Sequence, residues 1–306
     1  MLAITVQTEN GQRHTRVTTQ ELAELVHRIG GGDDRFLVVQ RIPDLPDAFI
    51  QVWHEAGGDY TLEHRDGGPE RHFQVTLAGP EPVIAAMTGW ARQDQDWGSG
   101  LEWASLDLGP APDPAPPLDL DDDSRERLET RLREVLTGGY ATRAQLTEVA
   151  QDYLVCGDHR PVSREQAGQL VDRMWLERVG EQAAWEGETD PERLARAFAA
   201  LGQAGITARE DFACCRSCGD AEIGGAGSAD ARGFVYFHSQ CTDAAARGHG
   251  LTLLYGAFEG SAATTTSIGG EVVTALQECG LSVEWNGDPL RAITVTPLDW
   301  RKRLVG

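Results

Sequence analysis

A chain of 306 residues with a net charge of −21 is too long for one ordinary core, and it has enough apolar residues to fold without disulfide staples. Its charge repels phosphate backbones and anionic lipid, which disfavours nucleic-acid or membrane-surface binding and leaves a basic protein as the favoured partner. No basic region precedes an apolar run at the N-terminus, and no stretch nears eighteen apolar residues, so the chain reads as cytoplasmic.

The acidity lies toward the front, at about −9 over residues 1–107 and about −5 over 108–123. Residues 1–108 read as an α+β domain. Thr18-Thr-Gln-Glu21 is a capping box whose threonine and glutamate satisfy free amides at a helix start, and Gly30-Gly31-Gly32 ends that helix. Runs at 36–41, 48–55, 60–64 and 72–77 are rich in β-branched and aromatic residues and separated by Pro43, Pro46, Gly57-Gly58 and Asp66-Gly67-Gly68. They predict meandering antiparallel strands. A second helix is expected from Pro80, carrying Val83, Ile84, Met87 and Trp90, then a last strand near Leu106.

Residues 109–123, rich in proline and ending in Asp119 to Asp123, read as a spacer, because proline holds the backbone extended and the aspartates repel one another. Residues 124–203 read as helical, with apolar stripes such as Leu128, Leu132, Val135 and Leu136. Thr142-x-x-Gln145 and Ser163-x-x-Gln166 mark two starts, and Asp190 is expected to cap a third ahead of Pro191. Acidic residues nearly balance the arginines here, which argues against a DNA-reading helix-turn-helix. From 204 to 306 strands at 234–237, 251–258, 281–285 and 292–297 alternate with a helix at 265–278, predicting an α/β sandwich and an α+β chain overall.

The chemistry concentrates in Phe212-Ala-Cys-Cys-Arg-Ser-Cys-Gly219 and His238-Ser-Gln-Cys241. Cys215, Cys218, His238 and Cys241 supply three thiolates and an imidazole, the closed set of a structural zinc site, which can contribute roughly 10 kcal/mol or more to folding. Cys214 would be the spare thiol. A redox or nucleophilic reading places a thiolate at Cys215 or Cys218 beside Arg216 or His238, although residues 211–219 show no clear helix start of the thioredoxin kind. Cys218, Glu222 and His238, with Asp243 and Tyr255, are the candidates for catalysis. Each also has a plain structural account, as a buried small thiol, a strand-end histidine, a core aromatic or a solvated cap. No Walker or dinucleotide-binding pattern is present.

The stretch from Gly205 through Cys218 to Ile223, with Gly233-Phe-Val-Tyr-Phe-His-Ser-Gln240, Val283-Glu-Trp-Asn-Gly287 and Asp299-Trp-Arg-Lys-Arg303, resembles an uncharacterised actinobacterial family of domains of unknown function. The resemblance spans about residues 125–303 and implies a shared fold without an assigned activity. That family more often carries Asp where this chain has Cys241, which weakens a four-ligand site. The leading expectation is a non-enzymatic, acidic interaction protein, by analogy an immunity-like one, that binds a basic protein and needs no cofactor. The alternative is an enzyme or zinc-binding protein centred on the cysteine loop and His238.

Overall fold

The computed structural model describes residues 1–109 and 114–305. Residues 110–113, within the expected proline-rich spacer, lie outside the described residues. Contacts divide the chain into two compact units, Met1–Leu118 with the last residues from Leu304, and Asp119–Arg303.

Among the described residues, the first unit is one antiparallel sheet with two α-helices. Its strands are β1 (Ile4–Thr8), β2 (Arg13–Thr15), β3 (Phe36–Arg41), β4 (Ala48–His54), β5 (Tyr60–Asp66), β6 (His72–Leu77) and β7 (Ala104–Ser105), in the order β2-β1-β3-β4-β5-β6-β7. Alternation directs Ile4, Val6, Leu37, Val39, Ile50, Val52 and Leu62 to one face, where all are fully buried. On that core pack α1 (Thr19–Arg28) through Leu22, Leu25 and Val26, and α2 (Pro80–Arg92) through Val83, Met87 and Trp90. Each such side chain stabilises the unit by about 1.5–3 kcal/mol on burial. The capping box at Thr18 forms as expected, with Thr18 N–H donating to Glu21 at 2.6 Å. The β1–β2 hairpin was not anticipated. It turns at Asn10-Gly11, where Gly11 has φ 81°, a conformation that glycine adopts at little cost.

In the second unit, α3 (Asp122–Gly138), α4 (Arg143–Asp152), α5 (Arg164–Ala183) and α6 (Asp190–Gln203) precede a mixed sheet. Asp121 caps α3, accepting from Ser124 N–H at 2.8 Å, so the end of the acidic run opens a helix. The boxes at Thr142 and Ser163 form as expected. At α6 the cap is Thr189, not Asp190: its amide donates to Glu192 at 2.9 Å, a carboxylate three residues on, which moves the helix start back by one residue.

The sheet comprises β8 (Ile206–Arg209), β9 (Gly233–Tyr236), β10 (Leu251–Ala257), β11 (Val283–Glu284) and β12 (Ile293–Val295), in the order β11-β12-β10-β9-β8. β8 and β9 run parallel and the other pairs antiparallel. The crossover between β8 and β9 carries α7 (Arg216–Glu222); α8 (Ser239–Ala246) follows β9, and α9 (Ala262–Glu278) follows β10. α6 and α9 share a core with Ile206, Val235, Phe237 and Leu253. The chain is thus α+β, with an antiparallel sheet in front and a mixed sheet with helices behind.

Candidate metal centre

The β8–β9 crossover is shaped by two residues that are not glycine and yet are left-handed, Asp211 at φ 48° and Ala213 at φ 64°. Such a conformation costs a side-chain-bearing residue about 1–2 kcal/mol, and strain of this kind gathers at functional sites. Backbone bonds hold the loop against the β9–α8 junction: Phe212 N–H donates to Phe237 O at 2.8 Å and Ser239 N–H to Ala213 O at 3.2 Å. Ser239 Oγ also donates to Cys214 O at 3.0 Å.

Cys215 then occupies the N-cap of α7 and Cys218 its first turn. A short helix does open here, but after the edge strand β8 and not after a central strand, which differs from the thioredoxin arrangement. The helix is fixed from below by Tyr236 of β9, whose single hydroxyl proton has the Asp220 carboxylate at 2.5 Å as its nearer acceptor and Arg216 O at 3.2 Å as the alternative. Gly219 lies flat on that ring, and a Cβ there would stand 2.5 Å from Tyr236 Cε2, closer than real contacts allow. Burial, reinforced by the Asp220 carboxylate, raises the Tyr236 phenol well above its usual range, so it remains a donor.

The ligand atoms of Cys214, Cys215 and Cys218 all lie within 4.8 Å of one another, close enough to hold one metal ion. The Cys214 and Cys218 sulfurs are 3.6 Å apart. Cys214 is exposed, and Cys215 and Cys218 are half-buried. The Cys215 thiol is lowered to about 7, first by the Ser217 hydroxyl, 3.5 Å away, and then by hydrogen bonds from the Cys218 amide and thiol. Cys218 is pushed up to about 11, first by its hydrogen bonds with the Cys214 and Cys215 thiols and then by the negative charge those thiols carry when ionised.

His238 and Cys241 form a separate, buried pair at the start of α8. Cys241 Sγ lies 3.5 Å from Nε2 and 3.7 Å from Nδ1 of His238, and the two residues are 8% and 7% exposed. Burial lowers the imidazole and raises the thiol. Both shifts favour the neutral forms, which opposes a thiolate–imidazolium pair. The four ligands expected from the sequence are thus regrouped. The loop and the imidazole are neighbours through Ser239, but the clustered sulfurs are those of Cys214, Cys215 and Cys218, and Cys214, taken as spare, is one of them. The signal for it was simple proximity, three thiols within five residues; its competitor, the Cys-x2-Cys…His-x2-Cys spacing, ignores burial.

The remaining acid/base candidates are dispersed. The Tyr255 hydroxyl donates to Asp288 O at 3.1 Å and accepts from Trp285 Nε1 at 2.9 Å. Asp243 stands 3.9 Å from Arg131, and Glu222 is exposed at the end of α7. No hydrogen bond or ion pair joins Glu222, His238, Asp243 and Tyr255 among the described residues.

The second unit is thus a mixed sheet with helices that carries three neighbouring thiols in its parallel crossover, close enough to hold a metal ion. Residues 121–304 match a domain of unknown function, DUF6891, and the chain belongs to that family. The search of curated proteins and the search of solved structures each return no match. No helix among the described residues is long and apolar enough to cross a membrane.

Proposed function

We propose that the second unit binds zinc through Cys214, Cys215 and Cys218, a three-thiol set that would leave one place in a four-coordinate shell for an exogenous ligand. The observation that carries this reading is the mutual approach of the three sulfurs within 4.8 Å. Zinc–sulfur bonds of about 2.3 Å in a tetrahedron separate the sulfurs by about 3.8 Å, against 3.6 Å between Cys214 and Cys218. The donor set fits as well, since thiolates select soft ions and Cys215 is already poised to ionise. All six cysteines are free, which supports a reducing, cytoplasmic setting. Bound zinc would withdraw electron density from the sulfurs and polarise whatever occupies its open position. Metal analysis of protein purified without chelator tests the reading, with about one zinc per chain expected and none for Cys218→Ser. A metal-free chain that also fails to take up cobalt(II) contradicts it.

A second reading rests on the charge of −21: the protein engages a basic protein partner, as an immunity-like protein would. Capture from native lysate at low salt and release at high salt supports it, because exposed charges are screened beyond about 10 Å at 0.1 M. A partner set indifferent to ionic strength refutes it.

A further inference from the structure

Asp211 of the strained loop also lines a cavity of about 230 Å³ that the thiols do not line. Arg131 of α3, Gln145 of α4, Asp211, and Ser239, Thr242 and Asp243 of α8 supply its polar wall. The hydroxyl protons are already committed elsewhere. Ser239 donates to Cys214 O at 3.0 Å, and Thr242 donates to Asp211 Oδ1 at 2.6 Å. What these two side chains have left to offer is lone pairs.

Arg131, the cation in the wall, is engaged by Glu134 at 3.3 Å and Asp243 at 3.9 Å. The Gln145 carbonyl accepts from Thr142 N–H at 2.9 Å, leaving its amino group as the remaining neutral donor. Nearby carboxylates have their own cations, Glu210 with Lys302 at 2.9 Å and Glu134 with Arg247 at 3.0 Å. Asp211 has no ion pair, and its Oδ2 has no hydrogen-bond partner, among the described residues. Val135 and Tyr140 add an apolar wall. The wall therefore offers several acceptors, and its two aspartates outnumber its one cation, Arg131, which is already paired with Glu134 and Asp243; carbon closes one side, in a volume suited to a few heavy atoms.

We propose that this cavity binds a small organic cation, an alkyl ammonium or guanidinium, with its N–H groups on Asp211 and the Ser239 and Thr242 oxygens and its short stem on Val135 and Tyr140. The site goes beyond the zinc reading and uses none of its ligands. Ser239 links the two, since the side chain that lines the cavity also holds the Cys214 carbonyl.

Calorimetric titration of the full chain with putrescine, methylguanidine and the uncharged diol of putrescine's length, at physiological ionic strength, tests the proposal. Saturable one-site binding of a cation is expected, with none of the diol. Asp211→Asn weakens binding at least tenfold, whereas Glu259→Gln, an exposed carboxylate elsewhere, leaves it unchanged. Should Asp211→Asn fail to fold, Ala141→Phe, which fills the cavity and keeps the carboxylate, must abolish binding. No cation binding by folded wild type, equal binding of the diol, or undiminished binding by the variants overturns the proposal, the last result assigning the effect to the general acidic surface.

Discussion

The thiols of the α7 loop and the His238–Cys241 pair at the head of α8 are made of the same ligand types and are joined through Ser239, yet their environments have opposite effects. Around Cys215, exposure and hydrogen-bond donors favour the thiolate. Around Cys241, burial favours the thiol, and the same burial keeps His238 neutral. Ligand spacing along a chain states which atoms are available; solvent and donors decide which of them ionise.

The sharpest way to break this contrast is alkylation of the metal-free, folded protein. At pH 7 Cys215 is about half ionised, whereas a thiol raised above the usual 9.0 is at most about 1% ionised. Ionisation alone should therefore make Cys215 react at least about fiftyfold faster than Cys241, which is further protected until the fold opens. Peptide mass spectrometry reads both sites, and equal rates would erase the distinction. The Cys215 rate should rise with pH to a plateau, half-maximal near 7. The linked stability has a definite sign: the folded pKa is depressed from 9.0, so the contribution is complete above 9 and is lost as pH falls through 7.

Metal affinity comes next. Loss of an outer-shell partner typically costs 10–100-fold, so loss of a ligand in Cys218→Ser should weaken zinc by about a hundredfold or more. Cys241→Ser should leave zinc affinity unchanged, as measured by competition with a chromophoric chelator. A matching loss in Cys241→Ser would restore the four-ligand set. Gly219→Ala drives a methyl into the Tyr236 ring and should cost about 1–3 kcal/mol in urea unfolding, with zinc affinity falling as α7 shifts. The smallest effect expected is that of Ser239→Ala, about 0.5–1.5 kcal/mol; a change in Cys215 alkylation rate alongside it would show that the two groups are coupled.

Much of the architecture was legible where side chains act locally. Thr18, Thr142 and Ser163 each announced a helix through a partner three residues on, and those helices are present. The strands β3 to β6 followed from turn residues and β-branched runs. The hairpin of β1 and β2 was readable from Asn10-Gly11 but is short and flanked by polar residues. α7 was hidden for a physical reason: cysteine is not a favoured cap, glycine lies in its middle, and Ala213, just before it, adopts a left-handed conformation its residue type disfavours. What holds α7 is tertiary, Tyr236 and Asp220, and no window of sequence contains both that ring and Cys215 as neighbours. The cavity at Asp211 is likewise assembled from α3, α4, the loop and α8, segments up to about a hundred residues apart.

Because β8 and β9 point the same way, the polypeptide between them must travel back along the sheet before it can pair again. That return path can lengthen, shorten or change its side chains without shifting the register of any strand. The three thiols belong to that path, and among the described residues no paired residue of the sheet is a cysteine, so the sulfur cluster and the frame that carries it are held by different residues.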